Sequence, residues 1–337
     1  DGGIVVLTGK RPLVLDPTST SKSEHPDFGS VASYVRGVGS AALPQYVAIP
    51  RQLYMTRPTY LGQESASVLI NDPSSPNYLP PQLAMAGDGT ILQNRRALLS
   101  QLEQVRREYD AHKKHEASDK FRDLAFQMLT SPKVAEAFNL NRESDKVRDR
   151  YGRHLWGQAC LLARRLATAG TAVISLYIDT PKVGPEYTNW DDHIQNAGRP
   201  GHFGDFMRRR LPYLDESLSA LIEDIYSRGL DRQILVVVMG EFGRTPRLSS
   251  NTNGTGRDHW PQVGGGLIAG GGFRTGQVIG ATDRDGASIA KRPVHFGEVH
   301  ATLYHHFGID PHAVTLPDYS GRPHYLVDEW KALPEII

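Results

Sequence analysis

The chain has 337 residues, of which 39% are apolar and 22% charged, the balance of an ordinary soluble globular protein. Lys plus Arg (38) nearly cancels Asp plus Glu (37), and a net charge of +1 gives no electrostatic reason to expect nucleic acid or an anionic membrane as a partner. The single cysteine, Cys160, excludes an internal disulfide, and no apolar run approaches the roughly 20 residues of a membrane span.

The chain opens DGGIVVL, and residues 4–7 read as a short strand. Residues 11–89 are rich in Pro, Ser and Gly and are expected to form loop-dominated structure lying over a core. Short extended pieces at 46–49 and 67–70 interrupt it. From Ile91 to about Lys114, Leu92, Leu98, Leu99, Leu102 and Val105 recur at helical steps, which predicts a long helix. A second helix is predicted over about 119–130. A third starts at Ser131-Pro132, with Pro in its first turn.

A new regime begins at Tyr151. Leu155, Ala159, Leu162 and Leu166 line one helical face, and Gly170 closes that helix. A strand over 171–178 follows, then a polar loop over 179–204. Leu211, Leu214, Leu218, Leu221 and Ile225 mark the next helix, ending at Gly229. Residues 233–239 are continuously apolar, the pattern of a strand buried on both faces. The glycine-rich run 265–272 surrounds Leu267-Ile268-Ala269, a further candidate central strand. A helix is predicted over 296–307. Alternating strands and helices argue for an α/β fold with a mostly parallel central sheet, and ligands in such sheets bind beyond the carboxyl ends of the strands.

Two loops on that rim carry the chemistry. One holds Asn189-Trp190-Asp191-Asp192-His193. The other begins at Glu241, directly after the apolar strand, and reaches Arg257-Asp258-His259-Trp260. Carboxylates gathered without compensation raise one another's pKa, and divalent cations remove that penalty. Mixed imidazole and carboxylate ligands suit Zn, Mn or Fe. Two such ions would clamp a phosphoryl-like group, and Arg244 and Arg257 would hold its remaining oxygens. An isolated Asp-x-His in a loop is most often solvated surface structure, so the case depends on these segments meeting in space. His305 and His306 have core-helix spacing and read as structural. His300, on the helix that follows the rim, stays a candidate anion-binding residue.

The stretches GEFGRTPR (240–247), GRDHWP (256–261), GGGFRTGQVIGATDRDG (270–286) and the Gly-Ile-Asp-Pro ending at 308–311 resemble the domain-of-unknown-function 1501 family. NWDDH at 189–193 matches its Trp-Asp-x-His element, and DGGIVVLTGKRP at 1–12 resembles a segment shortly after the family's first strands. The resemblance covers nearly the whole chain and is densest from about 151 to 337. It implies a sulfatase-like member of the alkaline phosphatase superfamily, built as one three-layer α/β/α sandwich domain over 1–337. The loop-rich part is 11–89 and the metal-site core 151–310. It implies a bimetal site hydrolysing sulfate or phosphate esters, with Asp191, His193 and His259 serving one ion. Glu241 and Asp258 would serve the other or its outer shell. The family's nucleophile and a further metal-binding Asp are expected upstream of Asp1.

The expected cofactor is one or two divalent ions, Zn or Mn. The expected partner is an anionic ester, with sulfated polysaccharide one candidate, and the expected location is exported. The alternative is a non-catalytic metal-binding relative that acts in binding or surface assembly.

Overall fold

A computed structural model describes residues 2–14, 22–37, 43–53, 55–76, 78, 131–183, 189–196 and 199–337. The helices expected over 91–114 and 119–130 lie outside the described residues. The opening IVVL is not a strand. It lies in helix α1 (Gly2–Thr8), which buries Ile4 and Val6. β-branched residues favour strands only where a pleated partner is present. Here the Thr8 hydroxyl donates to the Ile4 carbonyl, and Gly9, at φ +70°, ends the turn. Helix α2 (Phe28–Arg36) was not foreseen in the Pro/Ser/Gly-rich region. Its N-cap is Asp27, whose carboxylate accepts from the Ser30 amide at 3.0 Å. Burial raises the pKa of that carboxyl group.

Strand β1 (Tyr46–Ile49) is buried along its whole length. It is followed by β2 (Val68–Leu69), α3 (Pro132–Phe138), α4 (Asp145–Tyr151), α5 (Leu155–Ala169) and β3 (Val173–Leu176). The first three strands form a parallel sheet in the order β2-β1-β3, with Val47 opposite Ile174 and Ala48 opposite Ser175. The center of this sheet therefore comes from the loop-rich region. Ser131 caps α3, whose first residue is Pro132. Helix α5 follows the expected face: Leu155, Ala159, Leu162 and Leu166 are buried, and Gly170 closes it in a left-handed conformation.

Next come β4 (Gln195–Asn196), β5 (Arg199–His202) and α6 (Phe203–Ser227). Ala220, Leu221 and Ile225 of α6 pack with Leu161, Leu162 and Leu166 of α5 and with Val47 and Ile49 of β1 in one core. Each fully buried Leu, Ile or Val side chain among them contributes about 1.5–3 kcal/mol. Strand β6 (Leu235–Met239) leads into β7 (Gly243–Arg244), β8 (Ser249–Asn251), β9 (Gly254–Gly256), β10 (His259–Trp260) and β11 (Gly266–Gly270).

Strands β6 and β11 were expected in the middle of a parallel sheet. Among the described residues they pair only with each other, antiparallel, with Val237 opposite Ile268. All five residues of β6 are only partly buried. The side chains of Ile234 and Val236 reach the same core as Ile174 and Leu176 of β3, yet β3 and β6 share no hydrogen bonds. The protein is thus a mixed α/β fold with seven α-helices and several small sheets among the described residues. Hairpin β12–β13 (Ala281–Thr282, Ile289–Lys291), helix α7 (Phe296–His306) and hairpin β14–β15 (Thr315–Pro317, Pro323–Tyr325) complete it. Helix α7 and the last hairpin build a second core around Tyr304, Leu316 and Leu326.

Candidate metal centre

The 243–263 segment folds back on itself, and this brings its two motifs together. Strands β7 and β10 pair antiparallel, with Arg244 opposite His259 and Gly243 opposite Trp260. Thr245 N–H donates to the Asp258 carbonyl at 2.9 Å, and Gly243 N–H to that of Val263 at 2.7 Å. The 189–193 turn then docks on this ribbon. Arg244 Nη2 donates to the Trp190 carbonyl at 2.7 Å and Nη1 to that of Arg257 at 3.0 Å. Gly256 lies against the His193 carbonyl, where a Cβ would overlap it, so the close approach requires glycine.

Three side chains meet at this junction. Asp191 Oδ1 is 2.7 Å from His259 Nε2 and 3.0 Å from His193 Nε2. Arg244 Nη2 donates to the same oxygen at 2.9 Å. One ligand atom each from Asp191, His193 and His259 lies within 4.8 Å of the others. The two imidazoles sit 4.8 Å apart, and the Phe242 ring covers His259 at 4.3 Å. Burial pushes the Asp191 carboxyl up, but hydrogen bonds from His259 and Arg244 outweigh it and hold its pKa at about 2. The carboxylate is therefore ionised throughout the physiological range. The side chains of Asp191, His193 and His259 are 48%, 36% and 46% exposed, so a ligand can reach them from solvent.

Asp258 takes a different place from the one expected of a ligand. Its Oδ1 is 2.7 Å from His193 Nδ1, the ring nitrogen on the far side from Asp191. The hydrogen bond from His193 lowers the pKa of that carboxylate, and the Ser249 hydroxyl adds a bond to its other oxygen at 3.2 Å. A carboxylate on one ring nitrogen fixes the tautomer and leaves the other as a lone-pair donor.

The remaining candidates spread out. Glu241 is exposed, packs beside Gly2 and its charge acts on Tyr177; it is outside the three-residue group. The guanidinium of Arg257 lies 5.3 Å over the Phe203 ring. His300 is 1% exposed and bonded to the Val6 carbonyl at 2.8 Å, so it is not open to an anion. The roles of Thr245, Ser249 and Phe242 were not read from the sequence. Their spacing from the Asp-His pair carries no signal until the β7–β10 register is known.

Two imidazole nitrogens and one carboxylate oxygen, with an open side, form a donor set that fits a divalent transition metal such as Zn, Mn or Fe. The fold and this junction define a mixed α/β protein with a candidate two-histidine, one-carboxylate metal centre. The chain belongs to the family described as "Protein of unknown function (DUF1501)", whose profile matches residues 3–337. No curated protein and no solved structure matches the chain.

Proposed function

We propose that this protein is a metal-dependent hydrolase of sulfate or phosphate esters, sulfatase-like in lineage, with the three-layer sandwich and the exported location that such a lineage implies. The observation that carries the reading is the convergence of Asp191, His193 and His259 from two separate loops onto one solvent-accessible point. A divalent ion held there would act as a Lewis acid toward an anionic ester oxygen. The protein's own residues prepare the place. Asp258 orients His193, and Arg244 holds Asp191 while tying down the Trp190 and Arg257 carbonyls. Three of the five N–H donors of Arg244 are committed to the protein, and its positive charge also favours an anionic substrate.

One observation favours a second reading, a non-catalytic metal-binding module. Only this single three-residue group was found among the described residues, and Glu241 does not join it. One metal therefore fits better than two. The test is metal analysis of the purified protein followed by turnover of a panel of aryl sulfates and phosphates. About one zinc or manganese per chain with turnover, both lost in Asp191→Ala, is the expected result. Metal without turnover selects the binding module, and no metal under replete conditions ends both readings.

A further inference from the structure

The 189–193 turn places alternate residues on opposite sides. Asp191 and His193 face the centre, while Trp190 and Asp192 face the interior. Trp190 stacks on Trp156 at 5.8 Å with an interplanar angle of 14°, and its Nε1 donates to the Ile178 carbonyl at 2.7 Å. Asp192 forms an ion pair with Arg210 of α6, and the two side chains are 0% and 1% exposed. The same guanidinium donates to the Asn189 carbonyl and lies 4.8 Å over the Trp190 ring. It therefore grips both ends of the turn. The Asp192 carbonyl accepts from the Arg257 amide at 3.0 Å, directly before Asp258 and His259.

We propose that Arg210 is a positioning residue of the metal centre: its buried ion pair with Asp192 sets the spacing of Asp191 and His193 and their alignment with His259. This rests on the metal reading above. A buried ion pair is a poor means of gaining stability, because an apolar pair of similar volume often does as well. The Arg210 Nε is buried without a hydrogen-bond partner among the described residues, so the pair as described is not optimised for stability. What it does supply is direction. A planar guanidinium bonded to a carboxylate and a carbonyl admits one orientation of the turn between them.

The experiment measures zinc affinity by competition with a chromophoric chelator, and thermal unfolding in EDTA. Arg210→Lys keeps the charge but loses the forked geometry. The double variant Asp192→Leu with Arg210→Met removes both buried charges together. Each is expected to weaken zinc binding by about tenfold or more, the size of outer-shell effects on metal sites. The double variant is expected to unfold in EDTA near the wild-type temperature. Zinc affinity within about twofold of wild type in both variants overturns the proposal. So does an affinity loss in Arg210→Lys that the double variant restores along with stability, since the pair is then merely structural. The wild-type titration is read first. If the wild type holds no zinc, the metal reading fails by itself, and the variants are not needed to show it.

Discussion

Asp258 and His300 show how one residue's surroundings decide its role. Asp258 spends its carboxylate on His193 Nδ1. Removing it frees the ring to turn and to carry its proton on either nitrogen. Asp258→Ala is therefore expected to weaken zinc binding by about 10–100-fold, with Asp258→Asn milder because its amide oxygen still accepts. Chelator competition measures both. If Asp258→Ala instead removes all metal, Asp258 is a direct ligand. His300 sits among Phe28, Tyr304 and the Val6 carbonyl, and burial lowers its pKa from 6.5 to about 4. Its folded pKa is below its unfolded one. Its neutral form thus favours the folded state above pH 6.5, and that contribution is lost as pH falls toward 4. The slope is at most about 1.4 kcal/mol per pH unit. Urea midpoints between pH 7 and pH 5 should fall less in His300→Leu than in wild type; equal slopes would show that His300 does not carry the effect.

At the scale of elements, what the sequence made legible is what depends on local periodicity. Helix α5 shows its apolar face at 155, 159, 162 and 166 and its closing glycine at 170, and the structure buries that face. Its contribution is testable: Leu162→Ala, at 0% exposure in the main core, is expected to cost about 2–5 kcal/mol, seen as a lower urea midpoint with an unchanged slope. A cost under about 1 kcal/mol would mean that the core collapses around the gap. Elements set by distant partners were not legible. The IVVL segment has strand composition but meets α7 instead of a neighbouring strand, and it coils. The YVAI segment was legible as a short extended piece, but its place as the buried centre of the parallel sheet was not. The candidate site divides in the same way. The Asp-x-His and Asp-His pairs announce themselves by adjacency. The division of labour between Asp191 and Asp258 depends on the β7–β10 register and on how the 189–193 turn docks, neither of which is a local property.

At the scale of the whole molecule, the candidate centre joins two stretches of chain that are also held together by the parallel pairing of β5 with β9 and by the Arg257 amide on the Asp192 carbonyl. The 189–193 turn follows β3 of the parallel sheet, and the 243–260 ribbon follows β6 of the separate antiparallel pair. Because β3 and β6 are not hydrogen-bonded to each other, the junction at Asp191, Arg244 and His259 adds to the β5–β9 pairing as a tie between the two carboxyl-end rims. An ion held there cross-links them and binds only the folded chain. Free zinc at 100 times its dissociation constant should stabilise the protein by about 2.7 kcal/mol. The gain should appear in thermal unfolding as a rise that EDTA reverses. Hydrogen exchange should slow in both 189–193 and 257–260, because neither segment can open without releasing the ion. Asp191→Ala should abolish the rise and the slowing together. His324→Ala, whose imidazole pairs with Asp318 in the last hairpin, should leave both intact. Slowing confined to one of the two segments would mean that metal binds one loop alone and does not bridge the rims.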